Sequence, residues 1–155
     1  MALGAKDKTQ LMARWLALDY GLKRCGLAVT DPSNIIASPL ETVATTQLMS
    51  FLKNYMQTEP VELLIVGLPV NLDDAASEMT THVESFISQW KKIYPKIPVQ
   101  TIDERFTSSI AKQALLIGGM KKSGRQKKEN LDKVSAAVIL QSFMEKQAFL
   151  NRQKG

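Results

Sequence analysis

LALDYGLKRCGLAVTD, residues 16–31, decides how the rest of the chain is read. Trp15, Leu16, Ala17 and Leu18 form an apolar run that ends on Asp19. WLALDY (15–20) predicts a central strand, GLKR (21–24) a turn, and CGLAVTD (25–31) the returning strand of a hairpin. A carboxylate at the end of a buried strand is costly to desolvate unless something cationic meets it. The question set by Asp19 is which part of the chain supplies that partner.

Outward from this hairpin, IASPLETVA (36–44) predicts a third strand, pushed to an edge or a bulge by Pro39. Leu48, Phe51, Leu52 and Tyr55 recur at the spacing of a helix with one buried stripe, closed by Pro60. VELLIVGLP (61–69) is short, apolar and β-branched, a buried strand. Val83, Phe86, Ile87 and Trp90 mark a second helix that stops near Pro95, and IPVQTIDE (97–104) a last strand. Thr107 or Ser108 can cap a helix reaching about Ile117, ended by Gly118-Gly119. A final helix is expected from Asn130 or Leu131 to about Leu150, with Val134, Ala137, Val138 and Gln141 at helical spacing. The order β-β-β-α-β-α-β-α-α implies an α/β fold: a mixed five-stranded sheet, antiparallel in its opening meander, with helices on both faces. Residues 1–12 are expected to be a loose tail and 13–150 a single domain.

Composition narrows the chemistry. Of 155 residues, 45% are hydrophobic and 23% charged, ordinary for a globular protein with a real core. One cysteine, Cys25, and one histidine, His82, exclude an internal disulfide framework and leave almost no soft metal ligands. Any metal must then be held by oxygen, which points to magnesium or manganese. His82 falls mid-helix and reads as a surface residue. No apolar run reaches the roughly 20 residues of a membrane span, and the first ten residues lack a signal-peptide core, so a cytoplasmic location is expected. The net charge of +5 and pI near 9.4 favour a polyanionic partner. KKSGRQKK (121–128) packs five Lys or Arg into eight positions, which suits either a solvated loop or an arm that contacts phosphates.

Three groups of acids stand where a site could form. Asp19 ends the first strand, Asp103-Glu104 ends the last, and Asp132 sits in the first turn of the final helix. Sites in α/β sheets gather at the carboxyl ends of strands. Clustered carboxylates repel one another, and divalent cations relieve both the repulsion and the burial. Each acid also has a plainer reading. Asp132 is favoured by the helix dipole, Asp103 or Glu104 can pair with Arg105, and Asp19 can cap the turn at Gly21. Ser135 and Ala136, one turn beyond Asp132, leave room for a phosphate. Thr107 and Ser108 can donate to phosphate oxygens at a helix N-terminus, and Lys23, Arg24 and Arg105 fall on loops near the same end. No activated Ser, Cys or His nucleophile is evident, so metal-activated water attacking a phosphodiester is the chemistry expected.

These residues resemble the YqgF family, also called RuvX, the pre-16S rRNA nucleases, whose RNase H-like fold is related to Holliday junction resolvases. The resemblance runs from residue 15 to about 146: LALDYGLKRCGLAVTD matches the family's opening strand pair, IVGLPVNLDD its GLP loop, TIDERFTSSIA its DER motif and LDKVSAAVILQSFM its final helix. Leu22 stands where the family commonly has a small polar residue, and Asp74 where it usually has glycine. The resemblance implies that Asp19, Asp103 or Glu104, and Asp132 are the catalytic acids. Asp19, Glu104 and Asp132 would hold two magnesium or manganese ions roughly 3.5–4 Å apart. Strand alternation lets only one of Asp103 and Glu104 into the site, with Glu104 favoured. Lys23, Arg24, Arg105, Thr107, Ser108, Lys121, Lys122, Arg125, Lys127 and Lys128 would hold nucleic-acid phosphates. The implied task is 5′-end processing of pre-16S rRNA in the assembling small ribosomal subunit, by a monomer or homodimer. A junction-cleaving DNA endonuclease and a non-catalytic RNA-binding assembly factor are the alternatives. DYGLKRCG also has a faint likeness to the phosphate loop of actin-like ATPases, but the chain is too short for the two domains those proteins close on a nucleotide.

Overall fold

The computed structural model describes residues 13–68, 74–103 and 128–154, with the side chains of 74–77, 128–133 and 152–154 excepted. Three strands open the chain: β1 (Arg14–Asp19), β2 (Arg24–Thr30) and β3 (Ala37–Ala44). A 3-10 turn (Thr45–Gln47) leads into α1 (Leu48–Thr58). Then follow β4 (Val61–Leu68), α2 (Asp74–Ile93), β5 (Val99–Asp103) and α3 (Lys128–Lys154). The strands form one sheet in the order β3-β2-β1-β4-β5. β1–β2 and β2–β3 pair antiparallel, β1–β4 and β4–β5 parallel, so the sheet is mixed as expected. The expected tail at 1–12, the helix at 107–117 and the basic stretch at 121–127 lie outside the described residues.

Strand alternation sorts the side chains onto two faces. Leu16, Leu18, Leu27, Leu64 and Val66 face one way and pack with Leu48 and Leu52 of α1 and Val83, Phe86 and Trp90 of α2. Ala17, Ala28, Ala37, Ile65 and Ile102 face the other way and pack under Ala136, Ala137, Ile139, Leu140 and Phe143 of α3. Helices therefore cover both faces. His82 is exposed on α2, as its position suggested.

Pro39 acts as the sequence implied. β3 is an edge strand, and its register with β2 shifts where Leu27 opposes Glu41 and Ala28 opposes Pro39, leaving Leu40 as the extra residue. The β2–β3 connection is held by one carboxylate. Asp31 Oδ1 accepts from the amides of Ile35 (2.7 Å) and Ile36 (2.6 Å), and Oδ2 from Ser33 (3.1 Å). Asn34 takes the left-handed conformation there (φ 59°), which asparagine tolerates better than most side chains. These amides hold the Asp31 carboxyl below the usual aspartate pKa.

Candidate active site

β1, β4 and β5 run parallel, so Asp19, Leu68 and Asp103 all lie at one end of the sheet, the carboxyl end of its strands. Asp19 is half-buried and sits across from Gly26 in β2. Leu18 is beside Val66, which brings Asp19 level with Gly67 in β4, and Gly67 is level with Ile102 in β5. Asp19 therefore has a glycine on each side. Its position falls on the face that carries Ala17, Ala28 and Ile102, the face under α3. Neither Gly26 nor Gly67 puts a side chain beside the carboxylate, and both positions are buried.

α3 runs back over this face from the same end. The Phe143 ring meets Trp15, at the start of β1, edge to face with centroids 5.7 Å apart. Phe143 and Gln147 line a small surface hollow with Trp15, Glu62 and Pro98, all near strand starts. From Phe143 back to Asp132 is about 16 Å of helix, and from Trp15 to Asp19 about 13 Å of strand. The position of Asp132 thus lies on the stretch of α3 before Phe143, toward the end of the sheet where β1 finishes. It also stands one turn before Ala136 and two before Ile139, both of which face the sheet. Ser135, expected beside Ala136, is exposed instead, and Ala136 and Ala137 are the small residues of α3 that face the sheet.

Ile102 lies on the α3 face, so Asp103 falls on the opposite one, level with Leu68, which packs into the α1/α2 core. Glu104 lies outside the described residues, as do Arg105, Thr107, Ser108, Lys121, Lys122, Arg125 and Lys127. Lys128 is the first residue of α3. Lys23 is exposed on the β1–β2 turn, and Arg24, half-buried, opens β2 opposite Ala44. Among the residues with described side chains, no three His, Cys, Asp or Glu come together as a metal centre. The expected set nevertheless suits a hard divalent cation, because its donors are carboxylate oxygens.

The chain around Asp19 is fixed on both sides. Upstream are the fully buried Leu16, Ala17 and Leu18. Downstream, Tyr20 packs on Phe86 of α2 with centroids 5.8 Å apart, and burial pushes its phenol above the ordinary value, so it stays protonated at neutral pH. Next comes a turn fastened by Thr45, a residue the sequence did not single out. The Thr45 hydroxyl donates to the Gly21 carbonyl (2.7 Å), and its amide donates to the Lys23 carbonyl (2.9 Å). The Cys25 thiol also points at the Gly21 carbonyl, at 3.8 Å. A side chain at Gly21 would collide with the Arg24 carbonyl, so only glycine fits there.

A mixed sheet in this order, with acids at the carboxyl ends of its parallel strands, defines an α/β domain of the RNase H-like class. The solved structure of T. thermophilus RuvC in complex with Holliday junction substrate has the same fold, with a TM-score of 0.58 over 86% of this chain and 95% of that one, at 13% identity. The chain belongs to the RuvX family, whose model, described as Holliday junction resolvase, matches residues 13–146. It is 48% identical over 139 residues to a protein of Phocaeicola vulgatus named "Putative pre-16S rRNA nuclease", covering 90% of this chain and 100% of the relative. A protein of Christiangramia forsetii with the same name is 46% identical over 86% of this chain and 98% of the relative. By family the chain is a nuclease, a hydrolase of phosphodiester bonds, and its partner is a nucleic acid. No described helix is long and apolar enough to cross a membrane.

Proposed function

We propose that the chain is a divalent-metal-dependent ribonuclease that matures the 5′ end of pre-16S rRNA in the cytoplasm. The observation that carries this reading is the 48% identity across the whole length of a relative bearing that name. Asp19, Glu104 and Asp132 are the carboxylates proposed to hold magnesium or manganese, with two ions in the complete site. Preference for Glu104 over Asp103 is supported by the alternation of β5, which gives Asp103 the wrong face. When bound, the metal supplies activated water and charge stabilisation at the leaving oxygen. The protein's share is positional. Asp19 is held between a buried strand and the anchored Tyr20, while Lys23, Arg24, Arg105, Thr107, Ser108 and the basic residues of 121–128 grip backbone phosphates. Such contacts position RNA without reading its sequence, so selectivity falls to RNA shape or to the assembling subunit.

The deciding experiment offers a 5′-labelled pre-16S leader fragment and a four-way DNA junction, with magnesium or manganese, to wild type and Asp19→Asn. Cleavage of the RNA alone, lost in Asp19→Asn, is the expected result. Symmetric cutting of the junction would favour the second reading, a junction resolvase, which the family's own description supports. That reading also needs a symmetric dimer, so a strict monomer counts against it. RNA bound but never cut, even in the ribosomal particle, would leave a binding factor.

A further inference from the structure

We propose that Leu22, at the apex of the β1–β2 turn, is a wedge that inserts between bases of the bound RNA while Lys23 beside it contacts phosphate. This inference rests on the nuclease reading and specifies how that site engages its substrate. Six large apolar side chains are exposed among the described residues: Leu22, Ile35, Ile36, Ile93, Phe149 and Leu150. Ile35 and Ile36 lie in the β2–β3 connection, Ile93 ends α2, and Phe149 and Leu150 are near the end of α3. All five belong to the end of the sheet away from Asp19. Leu22 alone stands at the carboxylate end, half exposed and three residues beyond Asp19.

A single exposed leucine on a mobile loop would mean little. This one is presented on a turn with no slack. Gly21 admits no side chain, its carbonyl is held by Thr45 and approached by Cys25, and the Lys23 carbonyl is held by the Thr45 amide. The apex residues Leu22 and Lys23 are left pointing outward, one apolar and one cationic. That pair matches what unstacks a nucleic acid: an aliphatic wedge enters a base step while a neighbouring cation holds the backbone. No other exposed large apolar or aromatic side chain is described at this end to act as a stacking platform. The wedge would hold bases apart within reach of Asp19, presenting the phosphodiester to be cut. Thr45 is then a positioning residue, since it acts only through the turn.

The test uses full-length protein and a series of pre-16S leader fragments, each with one 2-aminopurine, bound in calcium to suppress cleavage. Wild type is expected to raise fluorescence at one step only, where bases unstack. Leu22→Ala should abolish that rise while changing affinity less than about threefold, and should lower cleavage in magnesium about tenfold. Leu22→Met should keep the rise, and Thr45→Val, with the turn loosened, should blunt it. Lys23→Ala should weaken binding to every fragment and reduce the salt slope by about one. A rise that survives in Leu22→Ala overturns the wedge and leaves the nuclease standing. Wild type that binds the fragments with no rise at any step overturns the wedge alone, and wild type that binds none of them, free or within the ribosomal particle, overturns the ribonuclease reading and the wedge with it. Circular dichroism of each variant separates these results from misfolding.

Discussion

The two faces of the sheet are built from different sizes of side chain. Toward α1 and α2 the sheet presents Leu16, Leu18, Leu27, Leu64 and Val66, met by Leu48, Leu52, Val83, Phe86 and Trp90. Toward α3, β1, β2 and β3 present Ala17, Ala28 and Ala37 while β4 and β5 present Leu63, Ile65 and Ile102, and the helix answers with Ala136, Ala137, Ile139, Leu140 and Phe143. Large residues fill the space between the sheet and α1 and α2. Small ones let one helix lie close on the strands. At the carboxylate end the α3 face loses even its methyl groups, at Gly26 and Gly67 on either side of Asp19. Both faces are buried cores, and the α3 face gives up side-chain volume only over β1–β3 and around the acid.

The sharpest break in this division is Asp19→Asn. It removes one negative charge and keeps the side chain's shape, so turnover should fall on the order of 10³-fold, equivalent to roughly 4 kcal/mol of barrier. The unfolding midpoint in urea should hold or rise. A midpoint that drops sharply would mean Asp19 is there for stability. The reciprocal change is Trp90→Ala, on the face under α1 and α2. Trp90 is fully buried, and its indole N–H donates to the Ile97 carbonyl at 3.1 Å. Its loss should cost about 3–5 kcal/mol in urea unfolding, with cleavage per folded molecule unchanged below the transition. A loss under about 1 kcal/mol would show that the two faces share the load.

The face under α1 and α2 was legible in the sequence, and the face under α3 only in part. Apolar runs ending at Asp19, Leu68 and Asp103 announced the strands, and Leu48, Leu52, Val83, Phe86 and Trp90 announced the helical stripes. Pro39 signalled both the edge and the bulge. α3 is longer than its periodicity suggested, running from Lys128 to Lys154, because charged ends carry no apolar stripe to read. That Asp103 falls on the α1/α2 face needed the register of β5 on β4, a fact no local pattern contains. Gly67 looked like the start of a loop motif, yet its place beside Asp19 comes from pairing across 48 residues. Thr45 carried no signal at all, since its partners Gly21 and Lys23 are remote in the chain and it bonds their backbone.

Adding volume on the α3 face sharpens the comparison further. Ala28 is fully buried beneath α3, and Ala28→Leu has nowhere to place three extra carbons without lifting the helix. Overpacking of this kind should cost about 1–3 kcal/mol. Because α3 also carries Asp132, cleavage should fall by more than the folded fraction does. Urea unfolding and cleavage rates measured together decide it. If activity merely tracks the folded population, the closeness of α3 is a packing detail unconnected with the acids.

The smallest expected effect lies away from both faces, at the Asp31 connection, and it is read through pH. Backbone amides of Ile36, Ile35 and Ser33 favour the ionised Asp31, so its pKa is lower folded than unfolded. The folded state then binds fewer protons than the unfolded one as the pH falls past the ordinary aspartate value of about 3.9. Stabilisation from this carboxylate should be complete above that value, shrink as the pH drops through the folded pKa, and vanish below it. Urea midpoints of wild type and Asp31→Asn, compared from pH 7 downward, should keep a constant gap to about pH 4 and converge in more acid solution. Asparagine keeps one acceptor oxygen but no charge, so any gap that persists undiminished in strong acid would belong to the loop's shape. It would then follow that the connection is held by geometry, with Asn34 in its left-handed conformation doing what the Asp31 charge is credited with here.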